Sequence, residues 1–477
     1  MPAGCYVKHV LVISLIFVTE ANPSHAKIVL TPAEMEEAAK LSLVAGQSEQ
    51  AIALVDALIL RNRQDTTPHL IRSRALRNMG QFEAARKAAL LGWKYAVNDN
   101  EKFSSALLIA QALSSDGKRT RAQLWLRRAY NIAPSSGHAA KARQDYGYVQ
   151  QRNPWHTQLS FTFAPNSNIN NGSSRDTSSL YYEFIDPFNP DGVEATLKAS
   201  SKALSGMETG LDIQSRYRFH QTERSAHDLR LSLSYQTYHL SGSAKDDLAA
   251  EDAERVARGE EARKLTGSDF AYGTVQIGYG YKQLRHDRRG EFSLSADIGQ
   301  SFYGGARYNR FLRAQLGQTY HVNPNSKLSF GLGAETRSAQ SGSDQHSLSL
   351  SAGLSRRLAS GDGLYLGVAV TSQRADLDRL EYDELRLRSG YVLGREVMGT
   401  ALQFGLSTSF RDYDVSPHDA SGRRDFQIAA EVSATFKQID YFGFNPTVSL
   451  SASTTDSNIG LYDVNRVGLS IGIASSF

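Results

Sequence analysis

Thiol chemistry, a disulfide framework and a bundle of membrane helices are all missing from this sequence. Its 477 residues include one cysteine, Cys5. That residue stands ahead of the first apolar run, whereas a lipid-anchoring cysteine would follow it. The rest of the chain therefore offers no disulfide and no thiolate. A large exported chain without cysteine must be held by ordinary packing or by closure of a sheet. Long apolar runs are missing too. Mean hydropathy is -0.39, and nothing beyond the first twenty residues nears the ~18 apolar residues of a membrane helix. A β-barrel survives that test, because its lipid face uses only every second residue. Charge of one sign is scarce. The net charge of +4 is too mild to imply a nucleic-acid partner. His-Glu-x-x-His, paired cysteines and a phosphate loop are all absent from the sequence, so we expect no enzyme, no metal and no cofactor. Proline is sparse at 12, against 38 Gly, 22 Tyr and 20 Phe. That balance suits strands with aromatic girdles.

The first segment reads as an address. Lys8 and His9 precede Val10–Val18 (VLVISLIFV), and Ser24-His25-Ala26 places small residues where a signal peptidase cuts. Residues 1–26 are expected to be a signal peptide cleaved after Ala26.

Residues 27–153 read as a helical domain. Apolar residues recur at helical spacing from Thr31 to Arg152, and Thr31-Pro32 suits an N-cap and first helical position. Gly46 and Gly80 lie 34 residues apart. Ala51, Ala85 and Ala122 each follow a glycine by five residues (Gly46, Gly80 and Gly117), and Pro134 closes the last string. A pair of helices over 34 residues resembles the tetratricopeptide repeat. In that reading the glycine ends the first helix of each pair and these small residues pack between helices. About three repeats suffice to bury a continuous core. This segment carries 19 Lys and Arg against 11 Asp and Glu. That surplus fits a solvated face, or a concave groove that takes a partner segment.

At Asn153-Pro154 the period changes from helical to two. Leu159, Phe161 and Phe163 alternate with Gln158, Ser160 and Thr162; Leu229, Leu231 and Leu233 alternate with Arg230, Ser232 and Ser234. The polar side carries too much charge for a sandwich core, so lipid outside and water inside fit better. Alternation alone gives about fourteen strands, from 155–168 to 464–477. The predicted architecture is thus α plus β-barrel: helical repeats, then a 14-stranded antiparallel transmembrane barrel over 154–477. Connections 169–203 and 239–268 should be long outer loops, the second with a short surface helix within 243–267. GLSIG (Gly468–Gly472) fits a hydrolase nucleophile pattern, yet it lies inside the last strand with no helix after it. Small lumen residues explain it better. His220, His227, His239, His286 and His321 fall near strand ends with no partner to form a catalytic group. Phe477 ends an amphipathic last strand, and such a terminal aromatic resembles the signal read by the barrel assembly machinery.

The junction carries a further resemblance. Ala164-Pro165-Asn166-Ser167-Asn168-Ile169-Asn170 looks like the opening barrel strand of the surface lipoprotein assembly modifier family, whose layout is signal peptide, tetratricopeptide domain and fourteen-stranded barrel. The resemblance implies an outer-membrane translocon with a periplasmic helical domain. Its partners would be a surface lipoprotein or secreted haem- or iron-acquisition protein as client, outer-membrane lipid and the barrel assembly machinery; the barrel is expected to be a monomer. It carries over no catalytic residue. The Asn-rich segment also reads as a capped strand end, since Asn and Ser suit turns. Two other functions stay open at this point, a polysaccharide export barrel and a diffusion porin.

Overall fold

A computed structural model describes residues 29–180, 193–340, 342–419, 421–439 and 444–475. The expected signal segment 1–26 and Phe477 lie outside them. The chain divides into two compact units, 1–96 and 97–477.

The first unit is four helices: α1 (Pro32–Val44), α2 (Ser48–Arg61), α3 (Thr66–Asn78) and α4 (Phe82–Tyr95). Thr31 caps α1 in a full capping box with Glu34, and Pro32 opens the helix; such a cap contributes about 1 kcal/mol. Gly46 and Gly80 stand between the helices of each pair at φ 78° and 76°. A Cβ there would meet nothing within 4 Å. Their role is therefore the left-handed turn that ends a helix, not close packing. Ala51 and Ala85 are fully buried, and Ala39, Val55 and Ile71 form one core cluster.

The second unit begins with α5 (Asp99–Ser115), α6 (Arg119–Asn131) and α7 (Ser136–Arg152). Gly117 repeats the turn at φ 74°, and Ala122 is fully buried beside Leu126 on α6. Pro134 corrects the packing role expected of it. It is exposed after the end of α6, where proline can stop a helix but touch little.

The barrel follows within two residues of α7. Its strands are β1 (Trp155–Asn166), β4 (Gly206–Gln221), β5 (Ser225–Leu240), β6 (Tyr272–Leu284), β7 (Gly290–Tyr303), β8 (Ala306–Asn323), β9 (Ser326–Ala339), β10 (Gln345–Arg357), β11 (Gly363–Ala375), β12 (Tyr382–Val392), β13 (Thr400–Tyr413), β14 (Arg423–Phe436), β15 (Phe444–Ser457) and β16 (Val464–Ser475). Each pairs antiparallel with its chain neighbours, and β1 closes the ring between β4 and β16. The fourteen strands lie within a few residues of the alternation spans. A two-stranded hairpin, β2 (Thr177–Leu180) with β3 (Val193–Thr196), sits inside the first long connection. Alternation does not reveal these strands, because four residues carry too few positions to show a period. The helix α8 (Gly242–Ala257) lies in the second long connection, in the stretch 243–267 expected to hold a short surface helix. Gly259, at φ 78°, ends it in a left-handed turn.

Strand phase separates the two faces of the wall. Phe161, Leu231, Ile298, Leu350, Leu387 and Ile471 share one face, and each is half or more exposed. A belt of large apolar side chains around a closed sheet is stable only against hydrocarbon. GLSIG lies within β16, where Ser470 stands opposite Ser449 on the inner face.

Candidate functional site

Three features of the barrel could act on a passing molecule: a charged lumen wall, a clasp across one end, and a short seam. We call the end where β1 starts the near end and the end with the long connections the far end.

The inner face carries a belt of ion pairs, some within one strand and some between strands. Asp228 on β5 receives Arg218 at 2.8 Å. Arg230 places one nitrogen 2.8 and 2.7 Å from the two carboxylate oxygens of Asp297, two strands away. Glu335 takes both Arg313 and Arg337. Glu384 takes Arg386 at 2.7 Å and Arg411 at 2.6 Å. The carboxylates are nearly buried while the guanidinium groups reach toward water, so each acid is satisfied by a partly hydrated partner. Between the charged arcs the wall is small: Gly331, Gly333, Ser349 and Ser351 sit in register across β9 and β10. Two lumen-side cavities of about 420 and 280 Å³ abut this belt. An inner wall with fixed charges and small residues suits polar cargo rather than lipid.

The far end is tied by the Asn-rich segment. Ala164, an inward position of β1, stands opposite Glu208, and Pro165, its last outward position, opposite Met207. Asn166 accepts the Asn168 amide at 2.9 Å and donates to Glu208 at 2.8 Å. Asn168 is fully buried. Its oxygen accepts from the Gly172 amide at 2.9 Å, and its nitrogen donates to the Gly172 carbonyl at 2.8 Å and the Asn465 carbonyl at 3.3 Å. Asn170 donates to the Lys202 carbonyl at 2.8 Å and accepts the Leu204 amide at 2.9 Å. The loop is drawn so close that a Cβ on Gly172 would sit 2.2 Å from the Lys202 oxygen, a place only glycine can fill. Ile169 is buried with Leu204, Leu240, Ala244 and Leu248 in a separate core under α8. Glu251 of α8 accepts from the Ser200 amide at 2.7 Å and its hydroxyl at 2.9 Å. The described parts of the two long connections thus pack together as one cap.

The seam lies where the first strand meets the last. Among the described residues, the register of β1 with β16 extends only from Phe163–Ile471 to Asn166–Gly468, whereas other neighbours stay paired for ten residues or more. Pro165 stands in that stretch without an N–H to give. Beyond it the clasp takes over. Val467 donates its amide to the Ser167 hydroxyl at 2.8 Å and accepts the Ser167 amide at 3.1 Å. Ser173 donates to the Gly460 carbonyl at 2.7 Å, and Arg175 pairs with Asp463 at 2.7 Å. The segment that looked like a capped strand end is therefore a fastening between the two ends of the sheet. Residues near 166–175 and 459–467 meet at the seam, some 300 positions apart in sequence, and no local pattern announces that.

Of the other residues singled out in the sequence, Ala51, Ala85 and Ala122 belong to the helices, and Gly46, Gly80 and Gly117 to the turns between them. His220 and His227 meet at the near end with ring centroids 5.4 Å apart, and His227 also bonds the Tyr279 hydroxyl. His286 bonds Arg224 at 2.8 Å. No histidine is brought to a serine–carboxylate pair among the described residues.

The family model for the surface lipoprotein assembly modifier matches residues 155–477, the whole barrel. The chain belongs to that family. For a surface lipoprotein assembly modifier, an outer-membrane barrel with a role in moving lipoproteins to the surface is the shared property, and the closed fourteen-strand ring agrees with it. No curated protein matches the chain. Similar solved structures include an outer-membrane channel from Pseudomonas putida F1 (9% identity, 67% of this chain and 95% of that one, TM-score 0.31). A BenF-like porin from Pseudomonas fluorescens Pf-5 is similar at 12% identity over 67% of this chain and 98% of that one, TM-score 0.32. A type III secretion translocator chaperone from Yersinia enterocolitica is similar at 16% identity over 25% of this chain and 83% of that one, TM-score 0.23.

Proposed function

We propose that this protein is an outer-membrane translocon in which the helical segment 27–153 receives the client in the periplasm and the barrel 154–477 passes it to the surface. The observation that carries this reading is the pairing of a repeat-like helical segment with a barrel of this family whose inner wall is charged and hydrated. A porin has no need of the helices. The client is a surface lipoprotein or a secreted haem- or iron-acquisition protein. The surplus of Lys and Arg on the helical segment favours a client segment of opposite charge. The chain carries out no chemistry in this reading and takes no cofactor. It inserts as a monomer through the barrel assembly machinery. Transport at an outer membrane lacks ATP, so client folding or capture outside would supply the drive. The test removes 27–150 and keeps the signal and barrel. Correct insertion with loss of client labelling at the surface supports the receiving role. Unchanged display overturns it, and a defect in polysaccharide export instead transfers the reading to a sugar conduit.

A further inference from the structure

Cations at the near-end mouth differ from those of the belt. On the inner face of β8 to β13 a cavity of about 650 Å³ is bounded by His321, Lys327, Ser355, Arg357, Tyr365 and Gln403. Register fixes the side on which it lies. Lys327 stands opposite His321 and Ser355, and Arg357 opposite Gly363. Two-residue steps from Lys327 lead to Gly331, Gly333 and the belt acid Glu335, so Lys327 faces the lumen. In the belt, Arg218, Arg230, Arg313, Arg386 and Arg411 each hold a carboxylate. No carboxylate lies within 4.0 Å of the Lys327 or Arg357 head groups among the described residues. The acid in the adjoining turn, Asp362, is already engaged. It accepts from the Ser360 hydroxyl at 2.6 Å, the Tyr391 hydroxyl at 2.6 Å and the Gly394 amide at 2.7 Å.

We infer that this near-end cavity is a docking pocket for an acidic peptide segment of the client, held by Lys327 and Arg357 with His321, Ser355 and Gln403 around it. The reasoning is electrostatic. Two uncompensated cations on the lumen face of a concave wall, with Arg356 also lining the cavity, focus potential and gather anions. A guanidinium grips a carboxylate in two parallel hydrogen bonds, and an ammonium adds a point charge beside it. The cavity's size suits a few side chains. Lipid headgroups are the less suitable occupant, because the pocket lies on the lumen side while the apolar belt defines the other face. Paired acids farther along the belt would not compete for the segment's charge, so capture at the mouth need not arrest passage.

This inference rests on the reading of the barrel as a client conduit, but its test does not use transport. Purified full-length protein in detergent is titrated with fluorescent hexaglutamate, with hexalysine and inorganic phosphate as comparisons. Saturable hexaglutamate binding that weakens with salt is expected. Lys327→Glu with Arg357→Glu should weaken it at least tenfold, and Lys327→Gln with Arg357→Gln should weaken it to a lesser degree. Heat-modifiable mobility verifies that each variant is folded. Charge reversal at Lys245, on the far-end helix α8, should leave binding unchanged. Absence of saturable binding by the native protein, equal binding of hexalysine, or folded reversal variants that bind as well as native would overturn the proposal. Inorganic phosphate displacing the peptide at micromolar concentration would also overturn it, in favour of a small-anion site. Binding that is enhanced only when phosphatidylglycerol is added would overturn it in favour of lipid.

Discussion

Replacing Asn168 by alanine removes the centre of the clasp, and the structure gives the size of the effect. The side chain makes three hydrogen bonds, two with Gly172 and one with the Asn465 carbonyl. Each is worth about 1 kcal/mol net. Because Asn168 is fully buried, water cannot readily replace them, and the Gly172 amide and carbonyl are left with fewer partners. The expected loss is therefore about 3 kcal/mol for opening of this end of the loop, or roughly a hundredfold in its opening equilibrium. Asn168→Asp should be no better. One carboxylate oxygen can still accept the Gly172 amide, but two carbonyls would then face a group with no proton to give. Hydrogen exchange at the Gly172 amide reads this opening, since the deleted oxygen, at 2.9 Å, is its nearer acceptor and Asn170 Oδ1 stands at 3.4 Å. The barrel should remain heat-modifiable, because thirteen other strand interfaces are untouched. A folded Asn168→Ala variant whose Gly172 amide keeps native protection to within threefold would refute the clasp as an energetic unit.

Further outcomes follow from the same geometry. Ala85→Arg should force a charged chain into a fully buried position and destabilise α3 and α4 by more than ~3 kcal/mol; exchange protection retained in α4 would contradict the packing. Hydrogen bonds from Ser360, Tyr391 and Gly394 hold the Asp362 carboxyl at about 2, below its ordinary 3.8. Its folded form binds the proton more weakly than the unfolded one, so its contribution to holding the 358–362 turn is full above pH ~4 and fades as pH falls through ~2. Carboxyl NMR showing an ordinary titration midpoint would contradict this. Deleting Phe477 should lower outer-membrane levels and raise periplasmic degradation, and a normal yield of heat-modifiable barrel would remove its role in assembly.

The barrel was legible because a period of two survives in single strands. Leu229, Leu231 and Leu233 announce a lipid face whatever their neighbours are. The glycine–alanine spacing was legible for a similar reason, since Gly46, Gly80 and Gly117 occupy one local turn geometry three times. Four features were not visible. The hairpin of β2 and β3 is too short to carry a pattern. The ion pairs depend on register between strands. Alternation shows that Arg230 and Asp297 both face inward, but not that they meet across an intervening strand. The clasp depends on ring closure, which brings Ser167 beside Val467. The sequence signalled that segment only through its density of Asn and Ser, the residues whose side chains can replace backbone partners where a strand ends. The mouth pocket was hidden for the same reason as the belt: whether an arginine has a carboxylate is a property of three strands together.

The central claim is that this chain moves a lipoprotein across the outer membrane. A Gram-negative host that lacks any such translocon should express the chain together with a lipoprotein encoded beside its gene, and intact cells should then be treated with protease. The account predicts that the lipoprotein becomes protease-accessible only when the full chain is present, and that it stays shielded when the barrel is expressed without residues 27–150. A lipoprotein equally shielded with and without a correctly inserted, heat-modifiable full chain would contradict it.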